Sequence, residues 1–280
     1  MLRTGICNSL YRLPGKPFAD YEKMALHGYA CADFQGLCDT KGALYLADEK
    51  EFCTVLTAER ERAAASGITL SQVHAPWPVT DTTEEERAQN LEWMKTAVRG
   101  TKILGSPYLV VHPQMPYGWA EEQDPDFAYR INYDFFSSLC DYAQDFGVNI
   151  CVENMPTKKH KLARVPALLD LIRDVGRKNF FLCLDTGHCN VSGDDCGDMV
   201  RLCGDLLRVL HVHDNFGDYD RHLFPYYGTI DWESFRKSLG ETGFTGVLSI
   251  EANLKTAKVP GEAIEHMMKG LAAIAHTLAV

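Results

Sequence analysis

A chain of 280 residues is long for an average domain but normal for one α/β barrel, and a domain of that size hides roughly 75% of its unfolded surface. Its formal net charge of −10 disfavours nonspecific binding to phosphate backbones, so nucleic acid is not an expected partner. No apolar run approaches the ~20 residues of a membrane helix and the N-terminus has no signal-peptide core, so a cytoplasmic protein without a membrane partner is expected.

Short β-rich runs alternate with longer helical patterns along the chain. "TGICNSL" (4–10) is the first predicted strand, followed by a helix over 18–29. "YACADF" (29–34) is the second, followed by a loop and a helix over 48–67. "ITLSQVHA" (68–75) is the third; the helix over 82–105 has Thr83 as N-cap and Glu86 three residues on, a capping-box pattern. "PYLVVHP" (107–113) and "VNICVEN" (148–154) precede helices over 124–147 and 165–176, both ending in glycine. "FFLCLDT" (180–186), "LRVLHVHD" (207–214) and "GVLSIEAN" (246–253) precede helices over 194–204, 231–243 and 261–278. Strands alternating with helices imply parallel pairing and right-handed crossovers. Eight such units in this length predict a single (β/α)8 TIM barrel, with 1–280 as one domain.

Ten cysteines are scattered with no CxxC pair, and several lie in apolar runs, which suits reduced, buried thiols. Cys189 and Cys196 draw more interest, since they follow a candidate site segment.

Catalytic groups of such barrels lie at the C-terminal strand ends. The third strand ends in His74, the fourth in His112, the fifth in Glu153 and the sixth in Asp185, with His188 three residues later. The seventh ends in His211 and the eighth in Glu251. A lone strand-end histidine or acid is often structural, or caps the next helix. Six consecutive units are different, because facing carboxylates repel unless a proton or cation neutralises them. Mixed imidazole and carboxylate ligands suit zinc, manganese, cobalt or iron, with zinc or manganese favoured; oxygen-rich subsets also admit magnesium.

"VEN", "LDTGH", "HVHD" and "SIEAN" together resemble the xylose isomerase-like barrel superfamily, over nearly the whole chain. That group includes sugar and sugar-phosphate isomerases and epimerases, inosose-processing enzymes and metal-dependent apurinic endonucleases. The resemblance implies a divalent metal on Glu153, Asp185, His211 and Glu251. It also implies that Glu153 and Glu251 are acid and base on opposite faces of a substrate carbon, forming an enediolate, with His188 on substrate oxygens. Its endonuclease branch implies more metal ligands: His74 and His112 for one ion, and His188, Asp220 and His222 for another. A two- or three-metal site would favour phosphoester hydrolysis.

The acidic charge and the lack of a basic, aromatic-interleaved surface favour a small sugar or sugar phosphate over DNA. The loops "YRLPGKP" and "QGLCDTKGALYLADEK" carry little charge, Trp77 is expected to wall a sugar ring, and His222 to reach the small-molecule pocket. Arg221 is a candidate for a substrate phosphate, with a surface salt bridge as the alternative. "KKHK" (158–161) is a solvated loop or a phosphate-attracting lid. His213 shares a strand face with His211. His27, His160, His266 and His276 read as structural or surface residues. A ligand-binding barrel without turnover is a third reading, opposed by the two glutamates. A homo-oligomer is compatible with the resemblance, although no apolar face for one is readable.

Overall fold

The structure, a computed structural model, describes residues 1–12, 18–77, 83–254 and 259–279. The expected loop "YRLPGKP" therefore lies partly outside the described residues, as does the start of the predicted helix at 82. The strands are β1 (Arg3–Cys7), β2 (Cys31–Phe34), β3 (Thr69–His74), β4 (Tyr108–Val111), β5 (Asn149–Glu153), β6 (Phe180–Asp185), β7 (Leu207–His211) and β8 (Val247–Ile250). The helices are α1 (Tyr21–Leu26), α2 (Ala43–Leu46), α3 (Glu49–Ala65), α4 (Glu84–Leu104), α5 (Pro125–Gln144), α6 (Val165–Val175), α7 (Thr186–Ser192), α8 (Cys196–Cys203), α9 (Trp232–Thr242) and α10 (Gly261–Leu278).

The eight strands form one parallel sheet in the order β7-β6-β5-β4-β3-β2-β1-β8. Its two ends meet at a seam, where a parallel bridge joins Val212 to Ile250. The Val212 amide donates to the Ser249 carbonyl (2.9 Å), and the Glu251 amide donates to the Val212 carbonyl (3.0 Å). The expected (β/α)8 barrel is thus nearly closed, with helices around it.

Two apolar layers follow from the two-residue period of a strand. One side of the sheet packs against the helices, as where Phe136 of α5 stacks on Phe180 of β6 with ring centroids 4.8 Å apart. The other side carries a small separate cluster of Val110, Cys151, Cys183 and Val209. Two residues further along the same strand faces stand His112, Glu153, Asp185 and His211. A plug of small apolar side chains therefore floors the polar rim. Cys151 and Cys183 are buried and serve as small hydrophobes there.

Local chemistry sets the element ends. The Thr83–Glu86 capping box forms: the Glu86 amide donates to Thr83 Oγ1 (3.2 Å) and the Thr83 amide to Glu86 Oε2 (2.9 Å). Gly105 and Gly176 end α4 and α6 in the left-handed conformation. The predicted first strand runs too long. It stops at Cys7, and Asn8–Tyr11 form a 3-10 turn in which Asn8 Oδ1 accepts from the Gln35 amide (3.0 Å). Two short helices, α2 and α7, lie where the sequence suggests only loop. Among the described residues no helix is long and apolar enough to cross a membrane.

Candidate metal and active site

Glu153, Asp185, His211 and Glu251 offer ligand atoms that all lie within 4.8 Å of one another. They stand at or just past the ends of β5, β6, β7 and β8. His211 Nδ1 lies 2.7 Å from Glu153 Oε1 and 3.1 Å from Glu251 Oε2. His112 and His74 approach the other Glu153 oxygen, Oε2, through Nε2 at 3.1 and 3.4 Å. On the opposite flank, Asp220 Oδ2 lies 3.4 Å from His188 Nε2 and 3.0 Å from His222 Nε2. His213 joins the two flanks. Its Nε2 is 2.9 Å from Asp185 Oδ2 and 3.7 Å from Asp220 Oδ1, and its ring stacks on His222 at 4.0 Å.

The backbone decides which face these rings present. Nδ1 of His74 donates to the Ala75 carbonyl (2.7 Å), of His188 to the Asn154 carbonyl (2.6 Å) and of His222 to the Glu251 carbonyl (2.8 Å). A carbonyl only accepts, so each Nδ1 carries a proton, and a ring in its neutral form points the Nε2 lone pair at a carboxylate. Two facing acceptors repel unless a proton or a cation sits between them. Among the described residues, the buried Asp33 Oδ1, Asp220 Oδ1, His112 Nδ1, His211 Nε2 and His213 Nδ1 find no hydrogen-bond partner. Oxygen and imidazole donors, buried, convergent and under-satisfied, fit a divalent cation.

The charges separate in a useful way. Burial works against an ionised Glu153, yet His211, His112 and His74 outweigh it and hold its carboxyl well below the usual range. Burial pushes the Glu251 carboxyl up, offset only in part by His211 and His222. Burial also opposes a charged His188, but Asp185 and Asp220 raise it to about 10. His222 is raised to about 9, against burial, chiefly by its hydrogen bond with Asp220 and by Glu251. Protons and a bound cation would thus compete for the same sites.

A cavity of about 670 Å³ opens above this cluster. Glu153, Glu251, His188, Asp220 and His222 line it, as does Trp77, which is 56% exposed. Asp185 and His211, both fully buried, lie beneath its surface. Arg221 faces outward, paired with Asp218 at 2.7 Å, and does not line the cavity. In the "KKHK" loop, Lys159 Nζ donates to the Trp119 carbonyl (3.1 Å), and His160 is buried with Nδ1 3.8 Å from Glu122. Cys189 in α7 and Cys196 at the start of α8 are buried and do not line the cavity. His27 is buried between Tyr11 (2.8 Å) and Glu265 (2.8 Å).

The sequence reading missed Asp33, Gln35 and Cys7, which stand at the ends of β2 and β1. The same strand-end rule that exposes His74 would have found Asp33 in "CADF" had it been carried back to the second unit. It also missed that Asp185 doubles as a helix cap: Oδ1 accepts from the His188 amide (2.7 Å) and so starts α7. Within α7, a Cβ on Gly187 would lie 1.9 Å from His213 Cε1. Gly187→Ala is therefore expected to cost about 1–3 kcal/mol by overpacking, although alanine favours helix. Urea unfolding checks this, and an unchanged or raised midpoint would mean His213 is free to move away.

A sequence family described as xylose isomerase-like TIM barrel matches residues 22–274. An uncharacterized protein of Methanocaldococcus jannaschii, MJ1311, is 29% identical over 94% of this chain and 88% of its own. D-psicose 3-epimerase of Agrobacterium fabrum is 28% identical, over 55% of this chain and only 52% of that one. Among solved structures, the IOLI protein with a bound zinc atom superimposes with a TM-score of 0.79 at 20% identity, covering 100% of this chain and 99% of that one.

Proposed function

The chain belongs to the xylose isomerase-like TIM barrel family, and on that premise we propose that it is a metal-dependent isomerase or epimerase. Its substrate would be a sugar, a sugar phosphate or a related polyol or keto compound, and its reaction would run through an enediolate. One observation carries this reading. Two glutamates, from the ends of β5 and β8, line the same cavity and reach one metal-sized cluster. Two carboxylates reaching one reacting position from different strands suit an acid and base pair.

In this reading Glu153, Asp185, His211 and Glu251 hold the divalent ion, with zinc or manganese as the favoured metal. The zinc-bound IOLI structure supports a divalent ion of this kind. When bound, the ion supplies positive charge beside the substrate carbonyl and hydroxyl oxygens. Glu153 takes a proton from one face of the substrate carbon and Glu251 returns one to the other. His188 and His222 bind substrate oxygens, and Trp77 walls the pocket against bulk water. Arg221 reaches a substrate phosphate only by leaving Asp218. Trp77→Ala is expected to raise KM about two- to tenfold with kcat nearly unchanged, the loss of one ring-stacking contact. A fall in kcat alone would remove Trp77 from substrate binding.

One observation favours a second reading, a zinc-dependent phosphoesterase or apurinic endonuclease-like hydrolase. His74 and His112 on one flank, and His188, Asp220 and His222 on the other, extend the cluster beyond one ion. Metal analysis, ketose epimerisation screens and an abasic-site nicking assay separate the two. One tightly held ion with epimerisation supports the first reading. Three zinc ions with robust nicking would overturn it.

A further inference from the structure

We propose that the end of β2, which carries none of the four core metal-ligand candidates, is the wall that orients two of them: Asp33 sets the ring of His211, and Gln35 sets the carboxylate of Glu251. This rests on the metal-site reading above. The side chains two apart on the strand reach the same cluster from behind. The register between β2 and β3 shifts between Ala32 and Asp33, a local irregularity of the kind that re-aims side chains next to functional sites.

Asp33 is fully buried. A buried carboxylate is costly without a partner. Oδ2 accepts from Cys7 Sγ (3.6 Å) and lies 3.2 Å from His211 Nε2, a charge-to-ring approach short of a formed hydrogen bond, so that among the described residues Asp33 Oδ1 and His211 Nε2 both lack a hydrogen-bond partner. The imidazole is therefore held between two acidic walls, with Nδ1 facing Glu153 and Glu251 and Nε2 facing Asp33. A cation on Nδ1 requires a lone pair there, so the ring proton must sit on Nε2, the nitrogen that Asp33 faces at 3.2 Å. The Asp33 charge also makes Nδ1 a better ligand. Gln35 acts on the other ligand. Ser9 Oγ donates to Gln35 Oε1 (2.7 Å), which leaves the amide nitrogen for Glu251 Oε1 (3.0 Å) and Cys7 Sγ (2.9 Å). One Glu251 oxygen is thereby fixed, and Oε2 stays turned toward His211 and the cluster.

The test uses cobalt(II), followed by its visible absorption, and zinc, followed by competition with a chromophoric chelator, on full-length protein. Asp33→Asn keeps the shape and removes the charge. It is expected to weaken binding of either metal by roughly 10- to 100-fold and to change the cobalt spectrum. Gln35→Met is expected to weaken it by about two- to tenfold, the loss of one hydrogen bond. Ring-nitrogen NMR of the zinc-loaded wild type provides a check that needs no variant: His211 should carry its proton on Nε2. Wild-type protein that binds neither metal overturns the metal reading together with this inference. Wild-type protein that binds, with Asp33→Asn equally tight or His211 bare at Nε2, overturns this inference alone.

Discussion

Glu251→Gln is expected to lower kcat by about 10²–10⁴-fold, the usual contribution of one positioned proton-transfer group, while KM changes little. Glutamine keeps the size of the side chain and one oxygen at the cluster, where Glu251 Oε2 stands 3.1 Å from His211 Nδ1. It removes the proton-carrying capacity that burial gives this carboxyl, whose pKa is raised. The measurement is turnover of a responsive ketose at saturating metal, together with uptake of solvent deuterium at the reacting carbon. With Glu153 intact, deuterium exchange on one face can persist while net conversion stops. Full activity in Glu251→Gln would take the acid–base role away from this residue.

Stripping the protein of divalent metal is expected to reduce activity to background, and adding metal back is expected to restore it. The physical reason lies in the burial of the donors: Glu153, Asp185 and His211 are at most 1% exposed, so their charges meet each other rather than water. A cation present at 100 times its Kd adds about 2.7 kcal/mol to stability, which is ~5–10 °C in Tm for a domain somewhat smaller than this one. Thermal melts with and without metal, beside the activity assay, measure both effects. Activity that ignores a strong chelator would remove the metal from the mechanism.

Much of the barrel is legible in the sequence because the two-residue and helical periods alternate cleanly and glycines punctuate them. Inspecting the end of each strand picks out His74, His112, Glu153, Asp185, His211 and Glu251 from the amino-acid order alone, and all six meet at one rim. Boundaries are less legible. His112 and Glu251 stand just past their strands, and the first strand stops at Cys7 because Asn8 bonds to Gln35. What the sequence hides depends on closure. Asp33 faces His211 from strands far apart in the chain, and His213 touches Asp185 only because Gly187 leaves room. Asp220 and His222 sit in a loop whose inward fold is held by Asp214, which accepts from Trp232 Nε1 (2.8 Å) and the Gly228 amide (3.0 Å). No local pattern encodes such contacts, since each depends on the positions of segments distant in sequence.

The seam between β7 and β8 has a consequence for how the protein is made. His222, held in a left-handed backbone conformation at φ 49°, ties across that seam through the Glu251 carbonyl and the Asn253 amide (2.7 Å). Chains grow from the N-terminus, so Glu153, Asp185 and His211 leave the ribosome before the segment that completes them. A nascent chain shorter than residue 251 carries an incomplete donor set with surplus negative charge and an open sheet edge. The four-donor core is thus complete only once the last strand has docked against the first.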